Sequence, residues 1–393
     1  LLKKLHYLDY KLLVPYLVLC ATGVVMVYSA SAYWIQTQYR WADNAVMIKQ
    51  LAFVIAGLVL ALFFFYFKLS LFRKPKFQAA LWLILFASLF YLLVVGRSVN
   101  GAAAWIPVGP INVQPTEFAK LIVIFYLAYM FSQRQDNMRR PDFSLKELVK
   151  PLFLVGMGIF LVLIEPDTGG AIIITGITLI MLCASGISLR WGTGFFAGLV
   201  VLVGGLYYVF ANVKLPHWLT KHYQIQRLTA AIHPFQESKT VGNQVVNSLL
   251  AINHGGLFGV GLGNGTQKLG YLPEPYTDFI LAVIAEELGL VGAAIVIGLI
   301  YYLIAHIYLI GIRSKNAYRS LISYGIGTLM LIQTTFNVGA VTGLLPVTGV
   351  TLPFISYGGS SMLVLSIAMG VMLNISAMEK QALVGKPAGK RVK

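Results

Sequence analysis

Ten stretches of apolar residues, most of them about as long as a bilayer is thick, constrain this 393-residue chain more than any motif does. A helix crosses a hydrocarbon core with roughly 20 apolar residues. Within lipid a chain must satisfy its own backbone polar groups, which leaves helices or a closed barrel. The stretches cover 12–32, 46–67, 77–96, 115–132, 151–165, 169–187, 191–211, 279–312, 319–341 and 353–377. Charged residues make up 11% of the chain and mean hydropathy is +0.77, whereas a soluble domain carries about 25% charged residues. The expected fold class is an all-α polytopic membrane protein of about ten transmembrane helices. The fifth stretch ends at Pro166 and abuts the sixth, which predicts a tight hairpin around Glu165–Gly170. The eighth is too long for one perpendicular crossing. Its first turns, Asp278 to Glu287, are expected at the surface or inside a protein cavity.

Ten crossings put both termini on one side. That side carries 21 Lys and Arg residues in its loops and ends, against eight on the other, so it is expected to be cytoplasmic. The net charge of +16 then reflects loop bias. It is dispersed over many short connections, which argues against nucleic acid as a partner. Cys20 and Cys183 lie inside apolar runs and suggest no metal site. The organisation expected is a single transmembrane domain over 1–393. It contains one long extracytoplasmic loop at 212–277, between spans seven and eight, and ends in a flexible basic cytoplasmic tail at 379–393.

The outward loops hold the informative residues. Loop 97–114 is rich in Gly, Pro and Asn. Within 212–277, Val245, Val246, Leu249, Leu250 and Ile252 are spaced for an amphipathic helix, followed by the glycine-rich GGLFGVGLGNGTQ from Gly255 to Gln267. Ionisable groups at membrane depth are few, and such groups are usually functional. Glu117 and Lys120, three apart, can pair on one helical face. Asp167 is placed to cap a helix, with Glu165 across Pro166. Glu286 and Glu287 suit interior polar contacts. Asp278 has no Lys or Arg within a helical turn. It reads either as a helix cap or as a carboxylate whose raised pKa fits it to accept a proton. Gly358 and Gly359 open the last span and read either as an anion-binding helix start or as small residues for close packing. The residues alone describe an outward site suited to a substrate with a phosphate and a lipid tail, for an enzyme or for a transporter.

Four motifs go further. They are NGAAAWIPVG with QPTEFAKL (Asn100 to Leu121), EPDTGGA (Glu165 to Ala171), GGLFGVGLGNGTQKLGYLPEPYTDFILAVIAEELG (Gly255 to Gly289), and the segment from Asn337 through GLLPVTGVTLPFISYGGSS (Gly343 to Ser361). In this order and spacing the chain resembles the SEDS family, the bacterial cell-wall glycan polymerases of the FtsW and RodA type, and QKLGYLPE resembles the division branch. The resemblance implies a peptidoglycan glycosyltransferase that polymerises lipid II at the outer face of the bacterial cytoplasmic membrane, at the division septum. It implies Asp278 as the catalytic base. Substrate contacts are implied from Arg97, Asn100, Trp105, Gln267, Lys268, Glu274, Ser356, Gly358, Gly359 and Ser360, with Lys268 and Arg97 as cations for the leaving pyrophosphate. Glu117 and Lys120 become a structural or gating pair. A divalent cation, Mg or Mn, would be held largely by substrate phosphates, and no organic cofactor is expected. Expected partners are a class B penicillin-binding protein and small bitopic division proteins. Ala104 departs from the family, in which many members have a polar or basic residue before the tryptophan. Competing readings are a lipid II flippase and a non-catalytic scaffold for the crosslinking enzyme.

Overall fold

A computed structural model describes residues 2–95, 104–109, 111–138, 140, 143–144, 146–212, 225, 227, 229 and 242–384. Helices lie at all ten expected positions: α1 (Tyr10–Trp34), α2 (Ala45–Tyr66), α3 (Pro75–Val95), α4 (Pro115–Met138), α5 (Lys146–Ile164), α6 (Thr168–Ala184), α7 (Leu189–Asn212), then α9 (Ile280–Arg313), α10 (Ala317–Val341) and α11 (Gly359–Val384). The amphipathic stretch forms α8 (Gly242–Gly255). Among the described residues eight of these helices are long and apolar enough to cross a membrane, and α6 is a shorter apolar helix. A two-stranded hairpin, β1 (Ile106–Val108) and β2 (Ile111–Val113), precedes α4 and pairs Ile106 with Val113.

Short polar side chains set the helix starts. Asp9 accepts from the Lys11 N–H (3.3 Å), Asp167 from Gly170 (2.8 Å) and Asn316 from Arg319 (3.2 Å), each satisfying a donor that a helix leaves unpaired. Helices α4, α10 and α11 form the interior, while α2, α3 and α5 leave apolar side chains such as Leu62, Leu83 and Phe153 exposed, as lipid-facing helices do. Contacts between backbones rest on small residues. A Cβ on Gly370 would lie 2.4 Å from the Ala61 carbonyl, and one on Gly23 2.4 Å from that of Phe354.

The two chain ends meet at one end of the bundle. The Asp9 carboxylate accepts from His306 Nε2 (3.2 Å) and Ser376 Oγ (2.5 Å) and lies 3.5 Å from Lys380 Nζ. Glu379 pairs with Arg319 (3.2 Å). Of the expected tail, residues 379–384 continue α11 and are anchored at Glu379 and Lys380, while 385–393 lie outside the described residues.

Helix α9 is broken. Gly289 has φ 74° and ψ 179°, which separates a half-helix, Ile280 to Leu288, from the crossing that follows. Residues 280–287 are buried inside the protein rather than at its surface. The break strands peptide groups, and the glycine-rich segment pairs them. Val260 and Gly261 N–H donate to the Glu286 and Glu287 carbonyls (3.0 Å each), while Leu290 and Val291 N–H donate to Gly256 and Leu257 (3.0 and 3.2 Å). The approach is so close that a Cβ on Gly289 would sit 2.3 Å from the Leu257 carbonyl.

Candidate active site

At the end of the bundle remote from the termini, four connections converge: the hairpin before α4, the α5–α6 turn, the segment from α8 to α9, and the loop between α10 and α11. Asp278 stands two residues before α9, half-buried. Its backbone is held by Asn337, whose Nδ2 donates both to the Asp278 carbonyl (2.7 Å) and to that of Val350 (2.8 Å). The α10–α11 loop thereby docks against the start of α9. Tyr357 N–H donates to the Tyr276 carbonyl (2.9 Å), and their rings meet edge to face at 5.9 Å. Burial raises the Asp278 carboxyl above its ordinary value, and the Arg227 guanidinium and a Thr277 hydrogen bond pull it partly back. Desolvation of a charged form outweighs the cation here. Gly349, at φ +73°, separates Arg227 from Asp278. A Cβ there would be 3.6 Å from Arg227 Nη1 and 3.7 Å from Asp278 Oδ2.

Two fully buried carboxylates fix the loop that leads to Asp278. Glu286 Oε1 accepts from Thr266 N–H (2.8 Å), Thr266 Oγ1 (3.0 Å) and Gln267 N–H (3.2 Å), and lies 2.9 Å from His254 Nδ1. Glu287 is met by Lys268 Nζ (2.5 Å) and Ser29 Oγ (2.7 Å). Lys268 is 4% exposed and its ammonium is paired with Glu287, so it ties the loop to α9 and α1. Gln267 is half-buried and serves through its backbone. Glu274, at φ +51°, closes the turn that presents Asp278 and accepts from Thr277 Oγ1 (3.1 Å).

The serines and glycines of the last motif are also spent on packing. Ser356 is buried, its Oγ accepting from Leu352 N–H (2.8 Å). Ser360 Oγ accepts from Gln114 N–H (3.0 Å) and donates to the Asn112 carbonyl (3.3 Å), stapling β2 to α11. A Cβ on Gly359 would lie 2.4 Å from the Phe53 ring, and one on Gly358 3.2 Å from Thr351 Cγ2. These four residues shape the wall: Ser356 and Ser360 are buried, while Gly358 and Gly359 stay half-buried at the start of α11. Trp105 is exposed at 38% beside buried Ala104. Arg97 and Asn100 lie outside the described residues.

Glu117 and Lys120 form the expected pair, 2.7 Å apart and buried. Asp167 caps α6 and accepts from Gln114 Nε2 (3.0 Å). Glu165 is different. It is 1% exposed, and neither carboxyl oxygen has a hydrogen-bond partner. Burial, with the Asp167 charge adding to it, pushes its pKa up to about 8. Sequence reasoning missed Arg227, and it marked Glu165 as part of the Pro166 turn without signalling its isolation. Arg227 is one basic residue among several in a long loop, with no local pattern to mark it. Among the described residues no three His, Cys, Asp or Glu side chains converge to hold a metal.

These features define a polytopic helical membrane protein with a carboxylate–guanidinium site at the face remote from its termini. The match to FtsW/RodA/SpoVE, described as a cell cycle protein family, runs over residues 10–381, and the chain belongs to that family. A probable peptidoglycan glycosyltransferase FtsW of Lactococcus lactis is 39% identical across 98% of this chain and 96% of its own length. A counterpart in Bacillus subtilis is 37% identical across 96% and 93%. Among solved structures, a chain from work on structural coordination of polymerization and crosslinking by a peptidoglycan synthase complex aligns with a TM-score of 0.74 at 25% identity, over 95% of this chain and 99% of that one. The Thermus thermophilus rod shape determining protein RodA aligns with a TM-score of 0.64 at 26% identity, over 94% and 96%.

Proposed function

We propose that this protein is a peptidoglycan glycosyltransferase that polymerises lipid II at the outer face of the cytoplasmic membrane, for septal wall synthesis. One observation supports this above the others. Asp278 is a half-buried carboxylate with a raised pKa, held by its backbone at the mouth of the bundle, in a chain whose relatives bear that activity in their names. The excess of basic residues at the terminus end supports an outer position for Asp278.

In this reading the 4-hydroxyl of one sugar attacks the anomeric carbon of the other, with inversion, and undecaprenyl pyrophosphate leaves. Asp278 accepts the hydroxyl proton. A carboxylate pKa moved toward neutrality makes it a stronger base, and positioned general bases contribute about 10²–10⁴-fold. The donor is already activated, so no energy-coupling group is required. Any Mg²⁺ or Mn²⁺ enters on the substrate phosphates, since the described residues supply no cage of three acidic, His or Cys ligands. A class B penicillin-binding protein with a single span crosslinks the product, and small bitopic division proteins join at the septum.

The test is polymer formation from purified lipid II by this protein and by Asp278→Ala, each alone and with the penicillin-binding partner. Polymer from the native pair and none from the variant is the expected result. Equal polymer from both removes Asp278 from the mechanism. No polymer from either, with the partner bound, favours lipid II transport or a scaffold.

A further inference from the structure

The glycosyltransfer reading leaves one requirement unassigned. A departing diphosphate must be met by positive charge; of the two cations expected for it, Arg97 lies outside the described residues and Lys268 is paired with Glu287 at 2.5 Å. Lys120 is likewise consumed by Glu117 at 2.7 Å. The cation that acts on Asp278 is Arg227. Both groups border the same point in space, the place a Cβ on Gly349 would fill, at 3.6 Å from Arg227 Nη1 and 3.7 Å from Asp278 Oδ2. The absence of a side chain at Gly349 keeps that space open. A guanidinium suits a diphosphate because its planar fork donates to two phosphate oxygens at once and keeps its charge at any working pH.

We infer that Arg227 is the diphosphate-binding residue of the site, and that the diphosphate of a lipid-linked donor takes Arg227 over as its counter-ion from Asp278. This rests on the glycosyltransfer reading and adds a trigger to it. Before the donor arrives, Arg227 offsets part of the effect of burial on Asp278. Once Arg227 faces the diphosphate, Asp278 keeps its burial and loses its compensating charge. It becomes a stronger base just when a hydroxyl must be deprotonated. In the step itself the acceptor hydroxyl oxygen bonds to the anomeric carbon and its proton passes to Asp278 Oδ. The bond from that carbon to the diphosphate oxygen breaks, the electron pair leaves on the diphosphate, and Arg227 meets the charge.

The experiment uses the full chain with its crosslinking partner and compares the native protein with Arg227→Gln and Arg227→Lys. Inorganic diphosphate serves as the probe, read both as inhibition of polymerisation and as direct binding by calorimetry. Arg227→Gln is expected to lower kcat by about 10²-fold, the scale for one lost donor to developing charge, and to weaken diphosphate binding at least tenfold. It also moves the acid limb of kcat/KM to higher pH, because Asp278 loses its cation; a purely structural residue would not produce that shift. Arg227→Lys, which keeps the charge without the fork, should fall between and restore the acid limb. It also serves as the folded comparison if the glutamine variant is lost. Unchanged diphosphate binding in either variant, or an acid limb that stays in place in Arg227→Gln, overturns the assignment. So does native protein that fails to bind diphosphate. If the native protein makes no polymer but binds diphosphate through Arg227, the glycosyltransfer reading fails and the binding site stands.

Discussion

Replacing Glu165 with Gln should make the protein's thermal stability less sensitive to a rise in pH from about 5 to about 8. Glu165 is buried with both carboxyl oxygens unpaired, and its pKa is pushed from 4.5 to about 8, by burial first and Asp167 second. Each unit corresponds to about 1.4 kcal/mol, so ionising the buried group opposes folding by on the order of 5 kcal/mol once the pH exceeds 8. Between 4.5 and 8 the folded protein holds a proton that the unfolded chain has released. The stabilisation is complete below about 4.5, declines as pH rises, and is gone above about 8. From pH 5 to pH 7 the decline amounts to roughly 3 kcal/mol, which corresponds to several degrees in midpoint for a chain of this size. The assay is the unfolding midpoint in detergent at half-unit steps from pH 5 to pH 8.5, for native protein and Glu165→Gln. A buried amide without partners has a penalty that does not vary with pH, so the slope of the difference isolates the charge. The variant should gain steadily on the native protein as pH rises. Parallel curves across the whole range would refute a neutral buried Glu165.

Lys268→Ala leaves Glu287 charged and fully buried, so the loss of folded protein should correspond to about 3–5 kcal/mol. Adding Glu287→Gln should recover part of it, read as the yield of monodisperse protein on size exclusion. Single exchange of Glu117 or Lys120 for Ala should lower both activity and thermal midpoint, and normal values of both in both variants would remove the pair from the account. Gly289→Ala should sharply reduce folded yield, because its Cβ meets the Leu257 carbonyl at 2.3 Å and φ is +74°. Gly298→Ala, on the same helix with nothing within 4 Å, should be close to neutral. In polymerisation assays kcat/KM should fall on acidification through a midpoint above the ordinary 3.8 of an aspartate, as Asp278 takes up a proton and stops acting as a base.

Local spacing made part of this legible beforehand. The helices follow from long apolar runs. The Glu117–Lys120 pair follows from a spacing of three, and the Asp167 cap from its place before a helix start. Excess length in the eighth stretch set its first turns apart, at the surface or in a cavity, and the structure buries 280–287. What stayed hidden depends on partners far away in the chain. Lys268 looks like a free loop cation until Glu287, 19 residues on, and Ser29, 239 residues back, close around it. Ser356 and Ser360 look ready for a ligand because their real partners are backbone atoms of Leu352, Gln114 and Asn112, which carry no residue signature. Arg227 reaches Asp278 across a loop of about fifty residues. The isolation of Glu165 is a property of its surroundings, which no neighbouring residue encodes.

The break at Gly289 also bears on how the protein is made. The peptide groups of Glu286, Glu287, Leu290 and Val291 have their partners in residues 256–261, and an unpaired peptide group in hydrocarbon costs several kcal/mol. A nascent α9 therefore cannot settle in the bilayer ahead of the loop that precedes it. Half-helix and loop must enter as one folded unit. The wall that holds Asp278 comes later still, because Asn337, Gly349 and Val350 emerge from the ribosome after it. A chain stalled before the α10–α11 loop would carry the carboxylate before the contacts around it are complete, and the site would close only when the last connection arrives.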